Sequence, residues 1–186
     1  IIAVERLKEV LVSLRRGEDI APVIKEEILY SAMDNFFSQP FLFATDQGGN
    51  GERLLTDQRA SNSWVERSPD GSKLVYASSR GLGLNWDIYV ANGDGSEESR
   101  LTFSSGADVY PSWGPHGEKL VFVSDRDGHV EIYVINADGT GETRLTDHDA
   151  IDFAPHISPD GSKIAFSSVR DSNDDIYVMD VDGSNE

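Results

Sequence analysis

Three arginines each stand a few residues ahead of an acid: Arg80 before Asp87, Arg126 before Glu131 and Arg170 before Asp175, at separations of seven, five and five. A guanidinium fork facing a carboxylate makes paired, charge-assisted hydrogen bonds. The first chemistry these pairs offer is an ion pair that pins the segment between them; contact with a ligand is the second. Asn62, Asp108 and Asp152 form another series, followed four residues later by Glu66, Ser112 and His156. Carboxylates such as Asp108 and Asp152 are oxygen donors of the kind calcium takes. The same side chains also cap loops through Asx-type hydrogen bonds. Glu66 and His156 would make a ligand-binding or metal-binding pair in a fold that brought them together. Trp86 lies with Leu84 in the longest of the arginine-to-acid segments, SSRGLGLNWD. An aromatic ring in an irregular loop is a contact candidate, and burial in a packed interface is its competing use.

Catalytic signatures are missing from the sequence. It has no G-x-S-x-G elbow, no H-E-x-x-H, no Walker loop and no G-x-G-x-x-G after a strand. Its four histidines, His116, His129, His148 and His156, fall in different turns and strands. The expectation is a protein that is not an enzyme and uses no cofactor, with calcium the one candidate ion. With no cysteine, disulfides, thiolate chemistry and Cys-ligated zinc are excluded. The formal net charge is −17. Residues 1–40 hold 7 acidic and 5 basic side chains, or −2, so the remainder carries −15. Phosphate contacts need a basic surface, so nucleic acid is not an expected partner. A basic protein surface or a divalent cation fits better, and a plain solvated surface is the simplest use of the charge. No segment reaches the roughly 18 apolar residues of a membrane-spanning helix. No secretory leader is visible, and the chain begins with Ile rather than Met, which suggests a processed or trimmed product.

The elements that must position these residues repeat. SPDGSKLVYASSR from Ser68, GPHGEKLVFVSDR from Gly114 and SPDGSKIAFSSVR from Ser158 align, and each leads into DIYVANGDG, EIYVINADG or DIYVMDVDG. The shared tyrosine falls at Tyr89, Tyr133 and Tyr177, a period of 44 residues. An Arg-Leu-Thr block follows at Arg100 and Arg144, and LFATDQGGNGERLLTD from Leu42 is a partial earlier copy. KLVYAS, KLVFVS and KIAFSS are short β-prone runs, apolar on both faces and bounded by turn residues. Pro-Asp-Gly supplies one turn and Asp-Gly the next. Each period therefore predicts four strands, A to D, and four short strands per 40–50 residues is the signature of a propeller blade.

The full motif runs Pro111, Trp113, Pro115, Gly117, Lys119, Leu120, Phe122, Ser124, Arg126, Gly128, Ile132, Tyr133, Val134, Asp138, Gly139, Arg144, Leu145, Thr146. It resembles the WD-like repeat of TolB-type β-propellers over residues 41–186. His116 stands where that family has Asp, and Val65 where it has Pro. The resemblance implies an all-β fold of about three four-stranded blades per chain, part of a six-bladed propeller. It places strand A along the central channel and the B–C and D–A loops on one face. That puts Arg80, Arg126, Arg170 and Trp86 on the B–C loops, and Asn62, Glu66, Asp108, Ser112, Asp152 and His156 along the D–A loops and strand A. Such blades occur in periplasmic scaffold proteins, in gating domains of serine peptidases and in some lyases. The expected function is a non-enzymatic module binding a protein or peptide on the channel face, in a periplasmic or other extracytoplasmic setting. The alternatives are the propeller part of an enzyme, or a structural or engineered repeat assembly without ligand.

Residues 1–40 read differently. Ile1, Val4, Leu7, Val10, Leu11 and Leu14 make one helical stripe, and Ile24, Ile28, Leu29, Ala32, Met33 and Phe36 another. The prediction is a short α-helical hairpin over 1–40 ahead of blades over 41–186. By this count the N-terminal piece supplies strands C and D of one blade, and the C-terminal piece A, B and C. About three blades leave apolar sheet faces open. Either the chain is a fragment of a longer one, or two chains close a six-bladed ring as a homodimer, or, less economically, the helical hairpin covers the open faces. In the dimer, the D strand near residues 53–56 of one chain would complete the A-B-C sheet of the other.

Overall fold

The computed structural model describes residues 27–32, 40–56, 60–80, 85–170 and 173–186. Fourteen strands are described, grouped in four antiparallel sheets. The first sheet is β1 (Ile28–Ala32), β2 (Phe41–Thr45) and β3 (Arg53–Leu54), in that order. Two full blades follow. The first is β4 (Asn62–Arg67), β5 (Lys73–Ser78), β6 (Asp87–Asn92) and β7 (Ser99–Arg100); the second is β8 (Asp108–Trp113), β9 (Lys119–Ser124), β10 (Glu131–Asn136) and β11 (Thr143–Arg144). The last sheet is β12 (Asp152–Ile157), β13 (Lys163–Arg170) and β14 (Asn173–Asp180). Each full blade runs A-B-C-D without a crossover, which is the predicted meander.

The turn chemistry explains the boundaries. Asp70 accepts from the Ser72 N–H at 3.0 Å and the Ser68 hydroxyl at 2.7 Å, closing the β4–β5 turn, and Asp160 repeats this with Ser162 and Ser158. Both carboxyls are held down to a pKa of about 2 by these donors. At the β6–β7 hairpin, Gly95 has φ +89, and a Cβ there would lie 2.1 Å from the Leu55 carbonyl oxygen. Only glycine meets both conditions. The threonine of each Arg-Leu-Thr block ties strand D to strand C. Thr102 Oγ1 accepts from the Ile88 N–H and Thr146 Oγ1 from the Ile132 N–H, both at 2.9 Å, and Thr56 accepts from Leu42.

Side chains alternate between two buried faces. Leu74, Tyr76, Tyr89 and Ala91 pack back onto Leu42, Ala44 and Leu55 of the first sheet. Their neighbours Val75, Ala77, Ile88 and Val90 pack forward onto Leu120, Phe122, Tyr133 and Ile135. Val121, Val123, Ile132 and Val134 continue onto Ile164, Phe166 and Met179. The near-continuous hydrophobicity of these strands thus reflects two sheet-to-sheet interfaces per blade. On the far face of the last sheet, Ile176 is 72% exposed and Val178 49%. They occupy the positions at which Ile132 and Val134 are buried.

The structure corrects the reading of the N-terminal segment. Ile28, Leu29 and Ala32, assigned above to a helix face, lie in β1, paired with β2 from Ile28↔Thr45 to Ala32↔Phe41. A short apolar run does not by itself separate strand from helix, and here a sheet edge supplied the missing partner. ILYSA lies 46 residues before LVYAS of β5, so β1 is a degenerate strand B. Tyr30 stacks on Phe43 at 5.6 Å as Tyr76 stacks on Tyr89 at 6.0 Å. The Tyr30 hydroxyl bonds Glu52 as that of Tyr76 bonds Glu98. The first predicted helix, with the rest of the second, lies outside the described residues. The strand expected to complete a partner's sheet is β3, and it is bound within its own sheet through Phe43↔Leu54 and Ala44↔Arg53.

Candidate binding site on the inner strands

Arg126 and Arg170 pair with Asp108 and Asp152 of the second series, whereas Asn62 bonds Thr56 and the Ala60 carbonyl and Arg80 bonds Glu98. Arg126 Nη2 donates to Asp108 Oδ1 at 2.8 Å, its Nε to Ser124 Oγ at 2.8 Å, and its Nη1 to Glu142. Its guanidinium lies 4.7 Å from the Tyr133 ring centre. Arg170 repeats this with Asp152 at 3.3 Å, Ser168, Glu186 and the Tyr177 ring. In the earlier blade Asn62 stands where the aspartate would be. Arg80 turns there to Glu98, with both terminal nitrogens at 2.5 Å, above Tyr89. Arg126 thus links strand A of its sheet to Glu142 beside strand D, Arg170 links strand A to Glu186 beyond the last strand, and Arg80 joins strand B to Glu98. Asp108 and Asp152 are fully buried, with arginine as their cation. Among the described residues no three His, Asp or Glu side chains are placed to share a metal ion.

Two of the three expected partners of these arginines are engaged elsewhere. Asp87 pairs with Arg100 at 2.7 Å and Glu131 with Arg144 at 2.6 Å, while Asp175 is exposed. The reason is register: the C–D hairpin sets Tyr133 opposite Arg144, bringing that arginine beside Glu131. Glu131 also accepts from the Thr146 hydroxyl and the His148 N–H.

Strand A is interrupted at the same place in three sheets. The pairing with strand B shifts between Ser63 and Glu66, between Val109 and Ser112, and between Phe153 and His156. At each bulge a non-glycine residue adopts a left-handed conformation: Trp64 at φ 53, Tyr110 at φ 52 and Ala154 at φ 51. Such backbone costs about 1–2 kcal/mol per residue, and bulges re-aim side chains. Residues 64–66, 110–112 and 154–156 together line a cavity of about 280 Å³ that crosses the three sheets. Trp64 and Tyr110 are 37% and 38% exposed, with ring centres 4.7 Å apart. Trp86 meets the Trp64 ring edge-on at 5.3 Å and packs against the core behind it. It therefore buttresses the cavity wall.

Three polar side chains share the lining: half-buried Glu66, buried Ser112 and exposed His156. Ser112 Oγ lies 3.0 Å from His156 Nδ1, and the Glu66 carboxylate accepts the Trp113 N–H at 3.3 Å. The serine is only 3% exposed. Burial pushes the Glu66 pKa above its ordinary 4.5, against the Ser112 hydrogen bond and the charge of His156. A raised folded pKa gives stability that is present below the unfolded value and lost as pH rises through the folded one. Between about pH 4 and 7, Glu66→Gln is expected to gain thermal stability relative to wild type. Melting temperatures across that range check this, and a constant difference would contradict it.

The sequence profile of the TolB β-propeller domain matches residues 38–139 and 126–186. The chain belongs to this family. Over 104 residues it is 32% identical to an uncharacterized protein of Agrobacterium fabrum, and over 107 residues 32% identical to the Tol-Pal system protein TolB of Alcanivorax borkumensis. Each match covers 55% of this chain, but only 34% and 24% of those relatives, so the chain spans about a third or less of their length. A solved structure described as a TolB from Agrobacterium tumefaciens superposes with a TM-score of 0.74 at 29% identity, covering 84% of this chain and 58% of that one. A puromycin hydrolase structure, at 16% identity and a TM-score of 0.69 over 86% of this chain and 28% of its own, shares the fold alone.

Within this TolB-type propeller, the sequence-selected Glu66, Ser112 and His156 come together on strand A. Trp86 lies behind Trp64, outside the cavity lining. Asn62, Asp108, Asp152 and the three arginines form the supporting sheet frame. Sequence reasoning missed Trp64 and Tyr110, although each stands two residues before a selected position. The signal was the equivalence of Trp64, Tyr110 and Ala154. On a regular strand Trp64 and Glu66 would share a face in any case, but nothing in the sequence announces the bulge that opens the cavity.

Proposed function

We propose that this chain is a propeller interaction module that binds a protein or peptide along its inner strands, without catalysis. The observation that carries the reading is the cavity across three strands A, lined by the exposed rings of Trp64 and Tyr110 and by the polar side chains of Glu66, Ser112 and His156. Strained backbone at all three bulges is maintained where it presents side chains to that cavity. Family membership supports the reading, and so does the Tol-Pal system name of one relative. An extracytoplasmic setting goes with it. The open face around Ile176 and Val178 packs in this reading against a further blade. Selection of random peptides displayed on phage against the immobilised chain tests the site. Selected peptides are expected to bind the Trp64→Ala/Tyr110→Ala double variant about tenfold or more weakly, since exposed aromatic anchors dominate such contacts. Unchanged binding by a folded double variant would overturn the assignment.

A further inference from the structure

The geometry points to a cationic side chain, the ammonium of lysine or the guanidinium of arginine on a basic partner peptide, as the occupant of this cavity. The inference rests on the peptide-binding reading and specifies its chemistry. A cavity of about 280 Å³ holds one long side chain, not a folded element. Its wall is the Trp64–Tyr110 pair, tilted at 42° with both rings partly open to solvent. Aromatic faces attract organic cations, more strongly as water is removed, and the alkyl stem of lysine or arginine packs on the same rings.

The floor supplies the counter-charge. Glu66 is half-buried, and the Trp113 N–H bonds its carboxylate at 3.3 Å and holds it in place. A carboxylate fixed in this way meets an incoming cation without further ordering. His156 lines the same cavity, and its Nδ1 is turned to Ser112. An acidic ligand would face Glu66 and a chain of formal charge −17. That same charge draws basic ligands in.

Four capped tripeptides, Gly-X-Gly with X lysine, arginine, glutamate or norleucine, test this on the full chain, read by the indole N–H resonance of Trp64. The lysine and arginine peptides are expected to shift that resonance saturably, and the glutamate and norleucine peptides to leave it in place. Glu66→Gln, which keeps shape and hydrogen-bonding capacity, is expected to weaken lysine-peptide binding about tenfold, and Tyr110→Leu to weaken it severalfold. Norleucine binding as well as lysine would overturn the proposal, as would full affinity in a folded Glu66→Gln variant. So would silence from all four peptides. The broader reading falls only if phage-selected peptides also ignore Trp64 and Tyr110, so the two failures are separable.

Discussion

Arg126→Ala is expected to lower the unfolding free energy by about 3–5 kcal/mol, the cost of leaving a buried carboxylate without its partner. Asp108 is fully buried, and Arg126 is the cation it contacts. The same arginine holds Ser124 and Glu142 and lies on the rings of Tyr133 and Phe122. One side chain therefore ties strands A, B, C and D of its sheet. Lysine is a poor replacement, since it lacks both the fork and the planar stack. Urea unfolding of single and double variants checks the wiring. Arg126 and Asp108 should couple by about 1–3 kcal/mol, whereas Arg126 and Glu131, which share no hydrogen-bond partner, should be additive within about 0.5 kcal/mol. Strong coupling to Glu131 would restore the pairing suggested by sequence proximity and contradict the structure.

The second large effect separates two residues that the sequence cannot tell apart. Ile132 and Ile176 occupy the same position in EIYV and DIYV, 44 residues apart. Ile132 is fully buried between two sheets, and Ile176 is 72% exposed. Ile132→Ala should cost about 2–5 kcal/mol through lost transfer energy and a residual cavity. Ile176→Ala should stay within about 0.5 kcal/mol in the isolated chain. Equal costs would mean that the last sheet is covered in solution, and the solution mass would then be measured next.

Much of the frame was legible from the residues. The 44-residue period, the Pro-Asp-Gly and Asp-Gly turns and the two-sided apolar strands specify four-stranded sheets stacked face to face, because turn geometry and strand alternation are local properties. Family membership was legible for the same reason, in the run from Pro111 to Thr146. Glu66, Ser112 and His156 were reachable through blade equivalence. The identity of β1 was not. ILYSA satisfies a helical stripe and a strand equally, and only the free edge of β2 decided between them.

What the sequence determined by itself is the repeat: where strands start, where they turn and which residues are equivalent. Tertiary structure decided the partners. Arg126 chose Asp108, 18 residues back and across strand B, over Glu131 five residues ahead, because register places side chains by sheet position and not by chain distance. It also decided the site. Trp64, Tyr110 and Ala154 take left-handed backbone only where strand A bulges against strand B. The cavity exists because three such bulges, each ordinary in its own sequence, line up across neighbouring sheets.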